Sequence, residues 1–490
     1  MLQNKINFFT AFLLIGLIQI IFFLITFDNN FFSDDYPLFI GLKLYNLIQG
    51  NLLSLENLLE LHNNHFIPVY LFVNQFLPEN HVYFHGIIAL FLFLSCLFVY
   101  LITFEITNNK ILSFLSSFFY SINMSIHIKP YVWNLFHAHI INCFTGLLSV
   151  YIFINFIKAQ KSQKGFWLSL YILLSILTVL NHETGLVFPI ISLSIYILFY
   201  KNKNFPIVSF CAIIPILIFI ILLVFTNKDP LYLVKERFDK SYTERFTRYI
   251  QVNEGSYAYF YRSPYANKDL VGYSLRIFDN LTSSVNLYSL ENSLKYFINT
   301  DKLKNFIINN YIKIISITFL ILFLFIVVFV KNLRSIEFKQ PIYKFLLLYF
   351  IVFSIFTFIF FRQDLNIALA FASSILISVI VFEFYQNKKY FFSYLITIIF
   401  VGSTFLYALS GFEHVKYWEN RSTIKKISNI HNENAINKIN NKNIPYYYDY
   451  IFLYYYKNFE DNEEYLSKFK NLKYTEFIND IIKEHLNDEH

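Results

Sequence analysis

Apolar runs of membrane-spanning length, recurring along most of the chain, leave this sequence few folds to adopt. A helix that crosses a bilayer needs about 20 predominantly apolar residues, because no water is present to satisfy its backbone. Runs of that kind cover residues 8–27, 82–104, 111–126, 137–157, 166–181, 186–200, 205–226, 309–330, 343–361, 365–385 and 391–412. The expected fold class is therefore all-α: a polytopic membrane protein with about eleven transmembrane helices. Only 15% of the 490 residues are charged and 56% are hydrophobic, more than one soluble core requires. The first run follows Lys5 and lacks a small-residue cleavage site, so it reads as a retained anchor. Cys96, Cys143 and Cys211 all fall inside runs, which leaves neither a disulfide framework nor a CxxC metal site. The 61 Phe and 38 Tyr accompany abundant Ile, Asn and Lys, a pattern that A/T-rich coding explains without sugar-stacking platforms.

Orientation follows from where Lys and Arg collect in the short loops. With the amino terminus inside, the inner segments hold Lys5, Lys110, the set Lys158, Lys161 and Lys164, then Lys201 and Lys203, then Lys331, Arg334 and Lys339, and Lys388 and Lys389. Residues 28–81, 127–136, 181–185, 227–308 and 362–364 then lie outside, as does the tail. The expected division is a membrane domain over 1–412, with a first outer loop 28–81 and a large outer loop 227–308, and a small soluble outer-face region over 413–490. The net charge of +7 is partly this topology signal and gives no reason to invoke nucleic acid.

Nearly all residues with chemical potential fall in the outer segments. Asp34 and Asp35 follow the first run directly, and two acids at the exit of a hydrophobic helix are costly to hold near lipid. They mark a candidate acid/base site at a membrane face, although Ser33, Asp34 or Asp35 would also cap a helix starting near Tyr36. His62 and His65 are three apart and share a face if helical, which suits a polar interface contact as well as a metal. His127, Lys129 and Trp133 precede the fourth run, and His137 and His139 open it, two apart and so on different sides of a helix. Asn181-His182-Glu183-Thr184-Gly185 forms a short turn between runs, where a polar loop is expected in any case. Arg362-Gln363-Asp364 follows the ninth run; an Arg there could snorkel to the interface, though the outer face is its less usual side. The separate signals are weak, and their shared side is the stronger argument.

In this order the features resemble membrane glycosyltransferases of the GT-C fold, in particular bacterial relatives of protein O-mannosyltransferases and aminoarabinose transferases. Members carry an acidic pair in the first outer loop, here Asp34-Asp35, and often a stretch similar to Asn64-His65-Phe66-Ile67-Pro68 later in it. Lys129-Pro130-Tyr131-Val132-Trp133 resembles the aromatic turn before the fourth span, and Asn181-His182-Glu183-Thr184-Gly185 through Pro189 resembles the family's Lys-Glu-x-Gly-x-x-x-Pro turn. The likeness covers residues 1–200, with a fainter echo at Phe361-Arg362.

The resemblance implies transfer of a sugar from a polyprenyl-phosphate donor to a glycan, lipid or protein acceptor, with inversion, in a bacterial inner (plasma) membrane and on its periplasmic or extracellular side. It implies Asp34 as base with Asp35 orienting it, and His182, Arg362 and Lys129 as partners of the lipid phosphate. His65, His137 and Glu183 are supporting residues. The cofactor is left open: a divalent ion could sit at Glu183 with His65 or His137, but some relatives need no metal. His182 stands where the family has Lys, and its charge would vary with pH where that of Lys would not. The late Arg-Tyr pattern of the family is here Arg362-Gln363. Two other classes share the polytopic build. A polysaccharide polymerase or ligase would centre on arginines in large outer loops, and a transporter or flippase would place ionisable residues within the spans, which here are nearly free of charge. The loop 227–308 interleaves Lys235, Arg237, Lys240, Arg245 and Arg248 with aromatics, as an amphipathic helix lying on the membrane would.

Overall fold

The structure is a computed structural model, and it describes residues 8–26, 81–123, 137–200, 205–225, 341–359 and 367–421. Among the described residues every regular element is helical: α1 (Phe8–Thr26), α2 (His81–Thr107), α3 (Lys110–Ser121), α4 (His137–Lys158), α5 (Lys164–Asn181), a 3-10 turn (Glu183–Leu186), α6 (Val187–Ile195) closing in a π turn (Tyr196–Tyr200), α7 (Phe205–Phe225), α8 (Pro341–Ile359), α9 (Ile367–Gln386) and α10 (Tyr390–Arg421). Among the described residues, five helices are long and apolar enough to cross a membrane: Phe8–Thr26, Val82–Thr107, His139–Lys158, Lys164–Asn181 and Leu369–Gln386. This is the build of an integral membrane protein. Each expected run overlaps a described helix except 309–330, which lies outside the described residues, as do the loop 227–308 and most of the tail. The last run belongs to a helix that continues past 412 to Arg421, so its apolar part and the first charged residues of the tail are one continuous element.

The helices share an inner core and turn apolar faces outward. In α1 the buried residues are Ala11, Ile15, Gln19 and Thr26, a narrow stripe, while Phe9, Leu13, Leu17, Ile20 and Leu24 are exposed. An apolar face that wide is what lipid, rather than water, would cover. The main core joins α1, α2, α4, α6, α8 and α9 through Ile15, Leu92, Leu147, Phe188, Phe345 and Phe371 among others. A second cluster, with Phe153, Tyr171, Tyr196 and Ala212, attaches α5 and α7 to the outer side of α4 and α6. Pro215 interrupts the backbone ladder of α7, and one turn earlier the Tyr171 hydroxyl donates to the Ala212 carbonyl at 2.6 Å. A third cluster places Phe119 of α3 and Phe400 of α10 edge to face, with Ile377 and Val381 of α9.

Packing contacts fix which helix ends lie together. Phe8 meets Tyr100 and Phe12 meets Phe93, so α1 runs antiparallel to α2. Phe91 meets Phe144 (centroids 4.9 Å apart), Phe98 meets Tyr151 (5.7 Å), and Lys158 pairs with Glu105, so α2 and α4 run parallel in a heptad-spaced seam. At the Glu105 end the Tyr200 hydroxyl donates to the Glu105 carbonyl and Lys158 lies over the Tyr200 ring. The opposite end gathers the C-terminus of α1, the N-termini of α2 and α4, and the turn between α5 and α6.

Candidate functional site

The site grows from a chain reversal that the sequence makes tight. At the end of α5 the His182 N–H still donates to the Thr178 carbonyl at 3.2 Å, but its own backbone is extended (φ −161°, ψ 146°), which stops the helix. The same residue then caps the following 3-10 turn: its carbonyl accepts from Gly185 N–H at 2.9 Å and its Nδ1 accepts from Thr184 N–H at 3.2 Å. The turn folds flat against α5, since a Cβ on Gly185 would lie 2.6 Å from the Thr178 carbonyl oxygen. Only glycine permits that approach. Beyond it, Phe188 of α6 seats its ring directly over Gly146 of α4, in a space that any side chain at 146 would fill.

Three side chains of α4 receive this turn. Asn142 Nδ2 donates to Thr184 Oγ1 at 3.0 Å, and Thr184 Oγ1 lies 3.0 Å from His182 Nδ1. Thr145 Oγ1 accepts from the Thr178 hydroxyl at 2.9 Å. His139 packs edge to face on His182 with ring centroids 4.7 Å apart. His139, Asn142, Asn181, His182 and Thr184 are all buried, and Asn142 Oδ1 finds no hydrogen-bond partner among the described residues. A buried imidazole pair linked to an amide and a hydroxyl is polar, preorganised and shielded, which strengthens any hydrogen bond made to it.

Of the residues expected to carry the chemistry, His182 is brought into this cluster. The turn is polar, as a loop between two runs is expected to be, and α4 supplies partners that let its His182 and Thr184 be buried. His137 and Glu183 occupy the first positions of α4 and of the 3-10 turn, so their backbones flank the cluster. Asp34, Asp35, His65, Lys129 and Arg362 lie outside the described residues. The acidic pair follows α1, whose C-terminus is at the same end of the bundle as His182. Sequence reasoning named His139 only as one of two histidines on different sides of a helix and Thr184 only within the turn, and it passed over Asn142. The available signal was on α4, where His139 and Asn142 are three apart and therefore share a helix face within an otherwise apolar run. His85 of α2, also buried, is a further polar residue near this end, one that the apolar run 82–104 hid.

Among the described residues no group of three or more His, Cys, Asp or Glu could hold a metal ion. No protein-family model matches the chain, and neither a curated protein nor a solved structure matches it. Fold and site together define a protein of membrane build whose described residues are all-helical, with a buried polar cluster at one end of the helix bundle.

Proposed function

We propose that this protein is a GT-C-type glycosyltransferase that moves a sugar from a polyprenyl-phosphate donor to a glycan, lipid or protein acceptor at the outer face of a plasma membrane. The single observation that carries the reading is the reversal at His182. The turn that resembles the family's Lys-Glu-x-Gly motif holds His182 and Thr184 in a buried polar cluster, at the bundle end where α1, which precedes Asp34-Asp35 in the sequence, terminates. A plain connector between two spans would have no need of Asn142 and His139 beneath it. The same reading takes the chain to have about eleven spans, with the basic end, marked by Lys110, Lys158, Lys161, Lys164, Lys388 and Lys389, in the cytoplasm.

In this mechanism the acceptor hydroxyl oxygen attacks the anomeric carbon while the bond from that carbon to the phosphate oxygen breaks. Asp34 takes the hydroxyl proton, and the bonding electron pair leaves with the phosphate, so configuration inverts. Displacement of this kind gains from a positioned base and from donors aimed at the oxygen that becomes more negative. Asp35 orients the base. His182, Arg362 and Lys129 are assigned to the phosphate, since hydrogen bonds to an anionic oxygen are among the stronger ones.

The test is Asp34→Asn, nearly isosteric and still able to cap a helix. The variant should insert and accumulate normally, yet lose sugar transfer by on the order of 10² or more, the usual size for loss of a general base. Asp35→Asn should lose less. Near-normal transfer by purified Asp34→Asn protein would overturn the assignment of the base.

A further inference from the structure

We propose that His182 serves the site as a neutral imidazole, fixed in the tautomer that carries its proton on Nε2, and so offers an uncharged N–H donor where the resemblance would have a cation. The polarity of the hydrogen bonds around the ring leads to this. A backbone N–H can only donate, and that of Thr184 is directed at Nδ1 from 3.2 Å. Nδ1 must therefore hold a lone pair rather than a proton. The Thr184 hydroxyl, 3.0 Å from the same nitrogen, agrees with that assignment. It already accepts from Asn142 Nδ2, also at 3.0 Å, which leaves its own proton to give to Nδ1. Asn142 to Thr184 to His182 is thus one directed chain, and with Nδ1 occupied the ring's proton resides on Nε2.

The same bonds explain why histidine rather than lysine suits this position. Lysine has three donors and no acceptor, so it could not cap the 3-10 turn, and the Thr184 N–H would be left without its partner in a buried place. A doubly protonated imidazole meets the same obstacle, since a proton on Nδ1 would point at the Thr184 N–H. Of the two, only neutral histidine supplies both an acceptor to the fold, at Nδ1, and a donor, at Nε2. That the oxygen met by Nε2–H is a lipid phosphate rests on the glycosyltransferase reading; the tautomer rests on the hydrogen bonds alone.

The experiment uses the full chain in lipid nanodiscs, labelled with ¹⁵N-histidine, and records imidazole nitrogen resonances at neutral pH. The His182 pair is assigned by its disappearance in His182→Asn, which keeps an acceptor for the cap. Should that variant fail to fold, Thr184→Val assigns it instead, by shifting the resonance of the nitrogen that loses the hydroxyl. A protonated Nε2 with an unprotonated, hydrogen-bonded Nδ1 is the expected result. An Nδ1–H tautomer, or protons on both nitrogens, would overturn the proposal. Binding of polyprenyl phosphate to the same nanodiscs separates the two readings. His182→Lys should bind at least as poorly as His182→Ala, whereas retention of binding by the Lys variant would overturn the neutral-donor role. Absence of binding by every form, wild type included, alongside the Nε2–H tautomer would leave the tautomer standing and sink the phosphate reading.

Discussion

Single residues set the shape of the site through how closely backbones approach. Gly146 and Gly185 do this from opposite sides of the turn, one admitting the Phe188 ring and the other the Thr178 carbonyl. Gly146→Ala should destabilise the protein by about 1–3 kcal/mol, the usual size for overpacking a filled interior. Unfolding of the reconstituted protein would measure it, and a double-mutant cycle with Phe188→Ala would identify the cause. The paired loss should be smaller than the sum of the two single losses, because shortening residue 188 vacates the space the new methyl needs. Additive losses would mean that the ring and the glycine do not meet. At this scale the sequence was legible for residue types and not for partners. His182 drew notice as a polar residue in a turn between apolar runs, and Gly185 as part of a motif. His139 was noticed only beside His137, and Asn142 was passed over, because an apolar run does not reveal which of its faces meets another helix.

Elements show the same divide between local pattern and distant contact. The apolar run 111–126 predicts a helix through 126, yet α3 stops at Ser121 after 12 residues. That length is about 18 Å, well short of the roughly 30 Å hydrocarbon thickness, so the helix ends inside the bundle. Two carbonyls at its end are met from other helices: Gln19 Nε2 of α1 donates to Ser121 O at 3.3 Å, and the Thr404 hydroxyl of α10 donates to Ile122 O at 2.7 Å. These partners stand 102 and 282 residues away in sequence, beyond the reach of any local pattern. Replacing either donor by an apolar residue of similar size, as in Gln19→Leu or Thr404→Val, should cost about 1–3 kcal/mol by leaving a buried carbonyl unpaired. Thr404→Ser, which keeps the hydroxyl, should cost less than Thr404→Val in the same unfolding measurement. Equal losses for Ser and Val would show that packing rather than the hydrogen bond matters at 404. By contrast, the pair of Lys158 with Glu105 at the far end of the α2–α4 seam is partly exposed, and its removal should change stability by less than about 1 kcal/mol.

On the scale of the whole molecule, helix positions were read well from runs of apolar residues, because the demand for internal backbone satisfaction in lipid leaves a strong and local mark. Function was read less directly, since the candidate residues come from segments far apart in the chain. The proposed topology places the tail outside the cytoplasm, so a reporter that works only in the cytoplasm, fused after His490, should be silent. Strong reporter activity would remove the motif segments from a common outer face. The most direct test is to give the purified, reconstituted protein a labelled polyprenyl-phosphate sugar and an envelope-derived acceptor extract, and to follow the bond between sugar and phosphate. The expected result is loss of the donor with matching appearance of free polyprenyl phosphate and of label in the acceptor, abolished by Asp34→Asn. Consumption only of a diphosphate-linked glycan, or movement of the intact donor across the membrane without bond cleavage, would contradict it.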